Sequence, residues 1–593
     1  MLALAGLGNL PLRDWDEGIV ARVALEIANR GLPQGLLPTI WGHDYLNKPP
    51  GLHWLIAAVI ACWHQLSGAP ASALPPEWVV RLVPAVLSTL VVPLGGLVQW
   101  QLRPSQRTAA LATAAILLTL LPVMRQGRLA MLDGAQLSAM ALLWWALLRS
   151  RSAKRAWPSG ALAGLAGSSL LLLKAPILLP ALLAGGLGLA FDPTPGPRRW
   201  RWLLAGLALG LVPGLAWHAY HGLMRGQQAL WLWGGDGVGR VLLDAGEGSS
   251  LGWRVPVLKV LEGGWPWLPL WPISVVMAWR QRHRAWGRWC LVLQAVMAAS
   301  ILPLRTQLPW YSHPLWLPFA LLCAVPLADL LCPRGARGGV LRRLPWFWMV
   351  LGGVLLAAWT VANLPGQAAL APYRWLPLPA GVGLLGGGWL LLRPMESRRR
   401  QGLLLLTSGW WLSLLLLATS PLWNWELNER WSVLPAAALA AGERPPVYMD
   451  GDAAERPSLR WYAQREVLRL PDDQDAGIPG PFDLIRQASD PRHGYCSPRD
   501  RSAAWRLLVT RTGNAGTAPN PGTQQPRPLR RHGPTGPCWW PPCCSPWSGS
   551  CCSGGACRCS PPPTTRASSC RCCGTASEGT PLRAPSRRSC PPT

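Results

Sequence analysis

Apolar residues in this chain come in long unbroken runs, without the alternation or one-sided periodicity of soluble elements. A window of about 19 residues finds such runs at roughly 79–99, 107–123, 131–148, 159–173, 175–190, 201–220, 266–279, 288–304, 312–330, 345–363, 375–392 and 402–420. Outer-membrane barrel strands alternate and these runs do not, so helices are expected. Tryptophans such as Trp144, Trp145, Trp200, Trp202, Trp410 and Trp411 sit at run ends, as an interfacial belt requires. The pattern predicts an all-α polytopic membrane protein with about 12 visible transmembrane helices. MLALAGLGNLPL is too short to span yet leads straight into RDWDEG. A truncated first helix is therefore expected, which raises the count to about 13.

Charge assigns sides. Only 14% of residues are charged, against about a quarter in soluble proteins. The net charge of +28 suggests nucleic acid, but the basic residues fall in short clusters between apolar runs, which makes membrane anchoring the simpler account and excludes nucleic acid as a partner. RPSQR at 103–107, RSRSAKR at 149–155, PRRWR at 197–201, RQRHR at 280–284, the basic stretch 334–343 and ESRRR at 396–400 recur after every second run. By the positive-inside rule they are cytoplasmic. The turns near 124–130, 174, 221–265, 305–311 and 364–374 then face outward, as does the chain after 421. The segment 51–66 is about 16 residues long with His53 and Trp54 near its start. It reads as lying along the interface, which keeps both 13–50 and Asp133 outside.

Three parts follow: residues 1–420 as the transmembrane domain, 421–509 as a small extracytoplasmic α/β domain, and 510–593 as a tail. In the second part a strand is expected at Pro446–Met449 and a helix near Leu459–Arg465. From about Thr510 the chain turns to Pro, Gly, Arg, Ser and Cys without periodicity, and 11 of its 16 cysteines lie there. This reads as a frameshifted, disordered segment, with a disulfide-rich or zinc-binding tail as the alternative.

Candidate chemistry gathers on the outer side. Asp14, Asp16 and Glu17 precede a small-residue helix from Gly18 to Arg30, and Asp133 opens the run 131–148. A carboxylate at a helix start is commonly a cap, yet ionisable groups near lipid are costly unless paired or used. The cations are Lys48 in NKPPG, Arg128 and Arg305, with Tyr311 and His313 beside the last. A cation facing a leaving phosphate stabilises developing charge, and a carboxylate accepts the proton of an attacking hydroxyl. The ordinary readings are that Lys48 and Arg305 snorkel to headgroups, that His313 is a satisfied interfacial residue, and that Lys174 before Pro176 marks a helix break.

At these residues the chain resembles the membrane-embedded glycosyltransferases of the GT-C fold, specifically the protein O-mannosyltransferases and the lipid A aminoarabinose transferases. The resemblance covers roughly residues 10–510. It is carried by Asp16 and Glu17, then Lys48, Pro49, Pro50 and Trp54, then Leu132 and Asp133, and finally Tyr311, His313 and Pro318. It implies about thirteen spans and inverting sugar transfer from a polyprenyl-phosphate donor to a lipid, glycan or protein hydroxyl, in a plasma (bacterial inner) membrane with the site on its outer face. It further implies catalytic roles for Asp16, Asp133 and Glu17. Lys48 would bind the lipid phosphate, with Arg128, Arg305, Tyr311 and His313 as further substrate-binding candidates. No cofactor is fixed, and a divalent metal stays open. Asn47 stands where the aminoarabinose enzymes carry an acidic residue before the Lys, and Ile19 and Val20 where they carry Arg-Tyr. Both departures point away from aminoarabinose as the sugar and from a tightly held metal.

Two readings compete. A transporter or flippase requires ionisable groups near mid-span or in internally repeated broken helices, whereas here the charges collect at one rim. A surface-polysaccharide polymerase or ligase shares the lipid-linked donor and differs in moving a whole chain.

Overall fold

The first helix, α1 (Asp16–Arg30), starts on two carboxylates and ends on Arg30, so charge complements the helix dipole at both ends. The computed structural model describes the chain except residues 1, 15, 32, 152, 195–198, 235–238, 240–250, 332–338, 424–431, 443–445, 450–454, 470–481, 488–504 and 511–593. Beyond Thr510 itself, the tail expected from about that residue lies outside the described residues. After α1 a short antiparallel hairpin, β1 (Thr39–Ile40) and β2 (His43–Asp44), turns through Trp41 and Gly42, both at positive φ. It leads to α2 (Gly51–Ser67), which stops at the left-handed Gly68.

The bundle continues with α3 (Glu77–Thr89), α4 (Val91–Leu102), α5 (Arg107–Thr119), α6 (Leu121–Arg128) and α7 (Leu132–Arg149). Next come α8 (Ala156–Lys174) and α9 (Leu178–Ala190), separated by a 3-10 turn at Ala175–Ile177, then α10 (Trp200–Arg225) and α11 (Ala229–Trp233). They are followed by α12 (Arg254–Gly263), α13 (Leu270–Arg280), α14 (Ala285–Ile301), α15 (Trp316–Leu331), α16 (Gly339–Ala362), α17 (Pro377–Leu391) and α18 (Glu396–Thr419). Helices α8 and α10 approach along small residues spaced four apart, Gly160 and Gly164 on one and Gly206 and Gly210 on the other. A Cβ at Gly164 would lie 2.7 Å from the Gly210 Cα. Packing of this small-residue kind joins helices where lipid offers no hydrophobic drive.

The expected count of about 12 spans, or 13, is corrected. Among the described residues six helical stretches are long and apolar enough to cross a bilayer: Glu77–Leu102, Ala156–Ala190, Trp200–Trp233, Pro309–Leu331, Gly339–Ala362 and Glu396–Thr419. A seventh counts if α5 and α6, bent by 57° at their junction, form one crossing. The physical reason is that each apolar run had been taken as one straight crossing. The runs 159–173 and 175–190 join into a single stretch, whereas the run near 266–279 forms only the 11-residue α13. At about 1.5 Å per residue, that is roughly half of a hydrocarbon core of about 30 Å. Helices α14 and α17, at 17 and 15 residues, also fall short.

Burial ranks the spans. In Pro309–Leu331 94% of the apolar window is enclosed by protein, against 22% in each of Gly339–Ala362 and Glu396–Thr419. A helix that is apolar all round and covered all round is the centre of the bundle, and this one carries Tyr311 and His313 at its start.

Beyond α18 the chain forms α19 (Val433–Ala440), β3 (Val447–Met449), α20 (Pro457–Ala463), β4 (Val467–Arg469), β5 (Phe482–Gln487) and β6 (Trp505–Thr510). The strands run in the order β4-β3-β5-β6, with β3 parallel to both neighbours and β5 antiparallel to β6. Val447, Met449, Leu459 and Val467 form a small core of their own with α19. Its strand and helix lie within two residues of the expected starts.

Candidate functional site

The fold sends the three carboxylates of RDWDEG to different places. Glu17 is buried beside Arg81 of α3, whose Nε and Nη2 donate to its two oxygens at 2.8 and 2.7 Å. It also accepts the backbone N–H groups of Arg13 at 2.9 Å and Ala130 at 2.7 Å. Burial opposes the charge, but the Arg81 guanidinium and these two N–H groups outweigh it and hold the carboxyl below the usual glutamate range. No face of Glu17 remains for a substrate. Asp14 is buried as well, joined to Arg456 and Ser458 of the carboxy-terminal unit. Asp16, between them, is half-buried at the first turn of α1.

Glu17 also gathers the site. Ala130, which it grips, lies three residues before Asp133, so the start of α1 is fastened to the segment that opens α7. Asp133 forms an ion pair with Lys174 at the end of α8, at 3.5 Å. The Lys174 Nζ stands 4.9 Å from the centre of the Tyr311 ring, a cation–π distance. His313, in the same 3-10 turn (Pro309–Leu315), is buried and feels the charges of both Asp133 and Lys174.

Lys48 reaches this assembly through its prolines. Pro49 and Pro50 are buried, and α2 begins directly after them at Gly51. A Cβ on Gly51 would lie 2.7 Å from the Leu172 Cβ and 2.8 Å from its carbonyl oxygen. Only glycine lets the Lys-Pro-Pro joint sit on the last turn of α8, two residues from Lys174. One turn into α2, His53 is fully buried with its ring edge-on to Tyr45 at 5.5 Å. Burial, with the positive charge of Lys48 adding to it, pushes the His53 imidazole down to about 4, so it is neutral near pH 7.

The hairpin before Lys48 is braced. Glu26 accepts hydrogen bonds from the Thr39 hydroxyl and the Trp41 N–H, each at 2.6 Å, and Arg22 pairs with Glu26 while covering the Trp41 ring at 3.7 Å. From α10, Arg225 donates to the carbonyls of Pro38 and Tyr45 and pairs with Asp44 at 3.1 Å.

The remaining candidates lie apart. Arg128 is fully buried and donates to the carbonyls of Leu2 at 2.6 Å and Ala418 at 2.9 Å, with its guanidinium over Trp423. It cross-braces the first residues against the end of α18. Arg305 is exposed in the turn after α14, and among the described residues it joins none of the others. Lys174 is the residue the sequence reading missed, taken there for a helix-break residue. A lone cation inside an apolar stretch calls for a partner, and that signal pointed to it.

A cavity of about 40 Å³ opens beside His313, lined by Arg125, Gln126, Lys259, Glu262 and Ser312 among others. The His313 Nε2 and Gln126 Oε1 have no hydrogen-bond partner among the described residues. The volume suits one hydroxyl-sized group. For a divalent metal the donor set does not fit: among the described residues no three His, Cys, Asp or Glu side chains stand together, and Asn47 precedes Lys48.

The profile of the family described as dolichyl-phosphate-mannose-protein mannosyltransferase matches residues 52–191. That stretch includes Asp133 and Lys174 and begins just after Lys48. No curated protein sequence matches the chain significantly. Among solved structures, ArnT from Cupriavidus metallidurans bound to undecaprenyl phosphate aligns with a TM-score of 0.63 at 18% identity, covering 82% of this chain and 91% of that one. The same enzyme in its apo state aligns with a TM-score of 0.61 at 18% identity, covering 82% and 90%. The chain has the GT-C fold.

Proposed function

We propose that this GT-C chain is a membrane glycosyltransferase that takes a sugar from a polyprenyl-phosphate donor and passes it, with inversion, to a hydroxyl of a lipid, glycan or protein at the outer face of the membrane. One observation carries the reading. Four distant parts of the sequence, the α1 start, the Lys48 joint, Asp133 and Lys174 under Tyr311, are clamped onto one another. A rim of cations beside carboxylates, on a bundle that offers apolar surface for a lipid tail, is what a greasy phosphate donor requires.

In this reading Asp16 takes the proton of the acceptor hydroxyl as its oxygen attacks the anomeric carbon. The bond from that carbon to the phosphate oxygen breaks, and the electron pair leaves with the phosphate. Lys48 and Lys174 stabilise the negative charge that grows there. Asp133 keeps Lys174 aimed at the mouth, and Glu17, closed off by Arg81, positions α1. Arg128 and Arg305 lie outside this set. No step is routed through a metal.

The test is direct. Asp16→Asn should lower transfer by about a hundred- to ten-thousandfold in a protein that purifies and melts like wild type, and full activity removes Asp16 as base. Lys48→Met should weaken binding of undecaprenyl phosphate, read by quenching of tryptophan fluorescence, and unchanged binding removes its phosphate role. Mass spectrometry of the lipid-linked sugars that accumulate when the gene is disrupted identifies the donor. If none accumulates, the transferase reading fails.

A further inference from the structure

The carboxy-terminal unit is held to the membrane part next to Asp16 itself. Asp14 is buried, and its two oxygens take the Arg456 guanidinium, the Ser458 hydroxyl and, at 3.1 Å, the Ser458 backbone N–H. Both partners are buried too. A second tie runs parallel: the Tyr462 hydroxyl donates to Glu77 at the start of α3 at 2.8 Å and accepts the Leu12 N–H at 2.7 Å. Burial beside the Glu77 carboxylate raises the Tyr462 phenol, which keeps it a hydrogen-bond donor throughout the working range. The backbones also meet closely, since a Cβ on Gly18 would lie 2.6 Å from the Ser458 nitrogen and 2.7 Å from the Pro457 carbonyl carbon.

These ties bracket Asp16. Leu12 and Asp14 are held from the carboxy-terminal side, and Glu17 is held by Arg81 and Ala130 from the membrane side. A helix start pinned on both sides leaves the residue between them a narrow range of positions. Burying a carboxylate–guanidinium pair takes two ions out of water, which mere docking of a surface unit does not require.

We infer that Asp14, Arg456, Ser458 and Tyr462 are positioning residues: helix α20, seated on the first turn of α1, sets the orientation of Asp16 and makes turnover depend on the carboxy-terminal unit. The inference rests on the reading of Asp16 as base.

The experiment uses the full chain in detergent or nanodiscs. Arg456→Ala should raise hydrogen exchange over residues 12–24 while leaving that of α15 unchanged. It should lower turnover on the order of ten- to a hundredfold, the scale of an ångström-sized misplacement. Binding of undecaprenyl phosphate should stay at the wild-type value, because Lys48 and Lys174 are untouched. Arg456→Lys should recover part of the turnover, and exchanging the charges as Asp14→Arg with Arg456→Asp should exceed either single variant. Unchanged exchange over 12–24 overturns the latch, and wild-type turnover in a folded Arg456→Ala protein overturns the positioning role. Asp16→Asn measured in parallel separates the two readings: if that variant is active, the base assignment fails while the exchange result still reports on the latch.

Discussion

At the scale of single residues, the fold gives different surroundings to side chains that are equal in the sequence. Asp14, Asp16 and Glu17 look alike in the sequence, and nothing local to them tells the two anchors from the proposed base. The difference is made by Arg81, 64 positions from Glu17, and Arg456, 442 positions from Asp14. That carboxylates and Lys48 lie at the ends of apolar runs was legible, whereas the sorting among them required partners that only folding supplies. The Glu17–Arg81 pair gives a stability prediction. Glu17→Gln leaves the buried Arg81 unpaired and should cost about 3–5 kcal/mol, while replacing both by apolar residues of similar volume should return most of it. The sign with pH follows from the depressed carboxyl: the contribution is present above the ordinary glutamate value of 4.5 and is lost as pH falls through the lower folded value. The gap between wild type and Glu17→Gln in chemical denaturation should therefore shrink on acidification below that value. A gap that stays constant with pH argues against the pair as its source.

At the scale of elements, the apolar runs located helices well and counted crossings poorly. Run boundaries near 312–330 and 345–363 reappear in Pro309–Leu331 and Gly339–Ala362. The count failed where prolines and glycines bend or shorten helices, as at the 57° turn between α5 and α6, because hydropathy carries no information on direction. What the elements supply to the site is close approach. Gly51→Ala puts a methyl group against Leu172, backbone included, and α2 has to tilt from α8 to admit it. Overpacking of this kind costs about 1–3 kcal/mol. Because the Lys48 joint rides on that contact, the variant should also weaken undecaprenyl phosphate binding, with Gly160→Ala at the α8–α10 seam as a comparison that loses stability without that specific loss. Equal binding by Gly51→Ala and wild type would show that the joint does not rely on the contact.

At the scale of the whole molecule, the argument depends on sidedness. The start of α1, the Lys48 joint and the turn before α15 are joined in the structure by direct contacts through Ala130, Leu172, Lys174 and Tyr311. Parts so joined must face one compartment. In the proposed reading that compartment is the outer one, with the basic clusters between the apolar runs on the cytoplasmic side. The two arguments are independent, one geometric and one electrostatic, and they make a single forecast. In intact cells, cysteines introduced at exposed Asn47 and Arg305 should both react with a membrane-impermeant maleimide. One at Ser105, in the exposed turn between α4 and α5, should react only after the membrane is opened. If position 47 is protected while 305 is labelled, α1 and α15 stand on opposite faces. The contact between Asp133 and Lys174 then no longer brings the proposed base to the phosphate. If all three react alike, the charge rule has been misapplied, and the outer-face assignment falls even though the site's geometry stands.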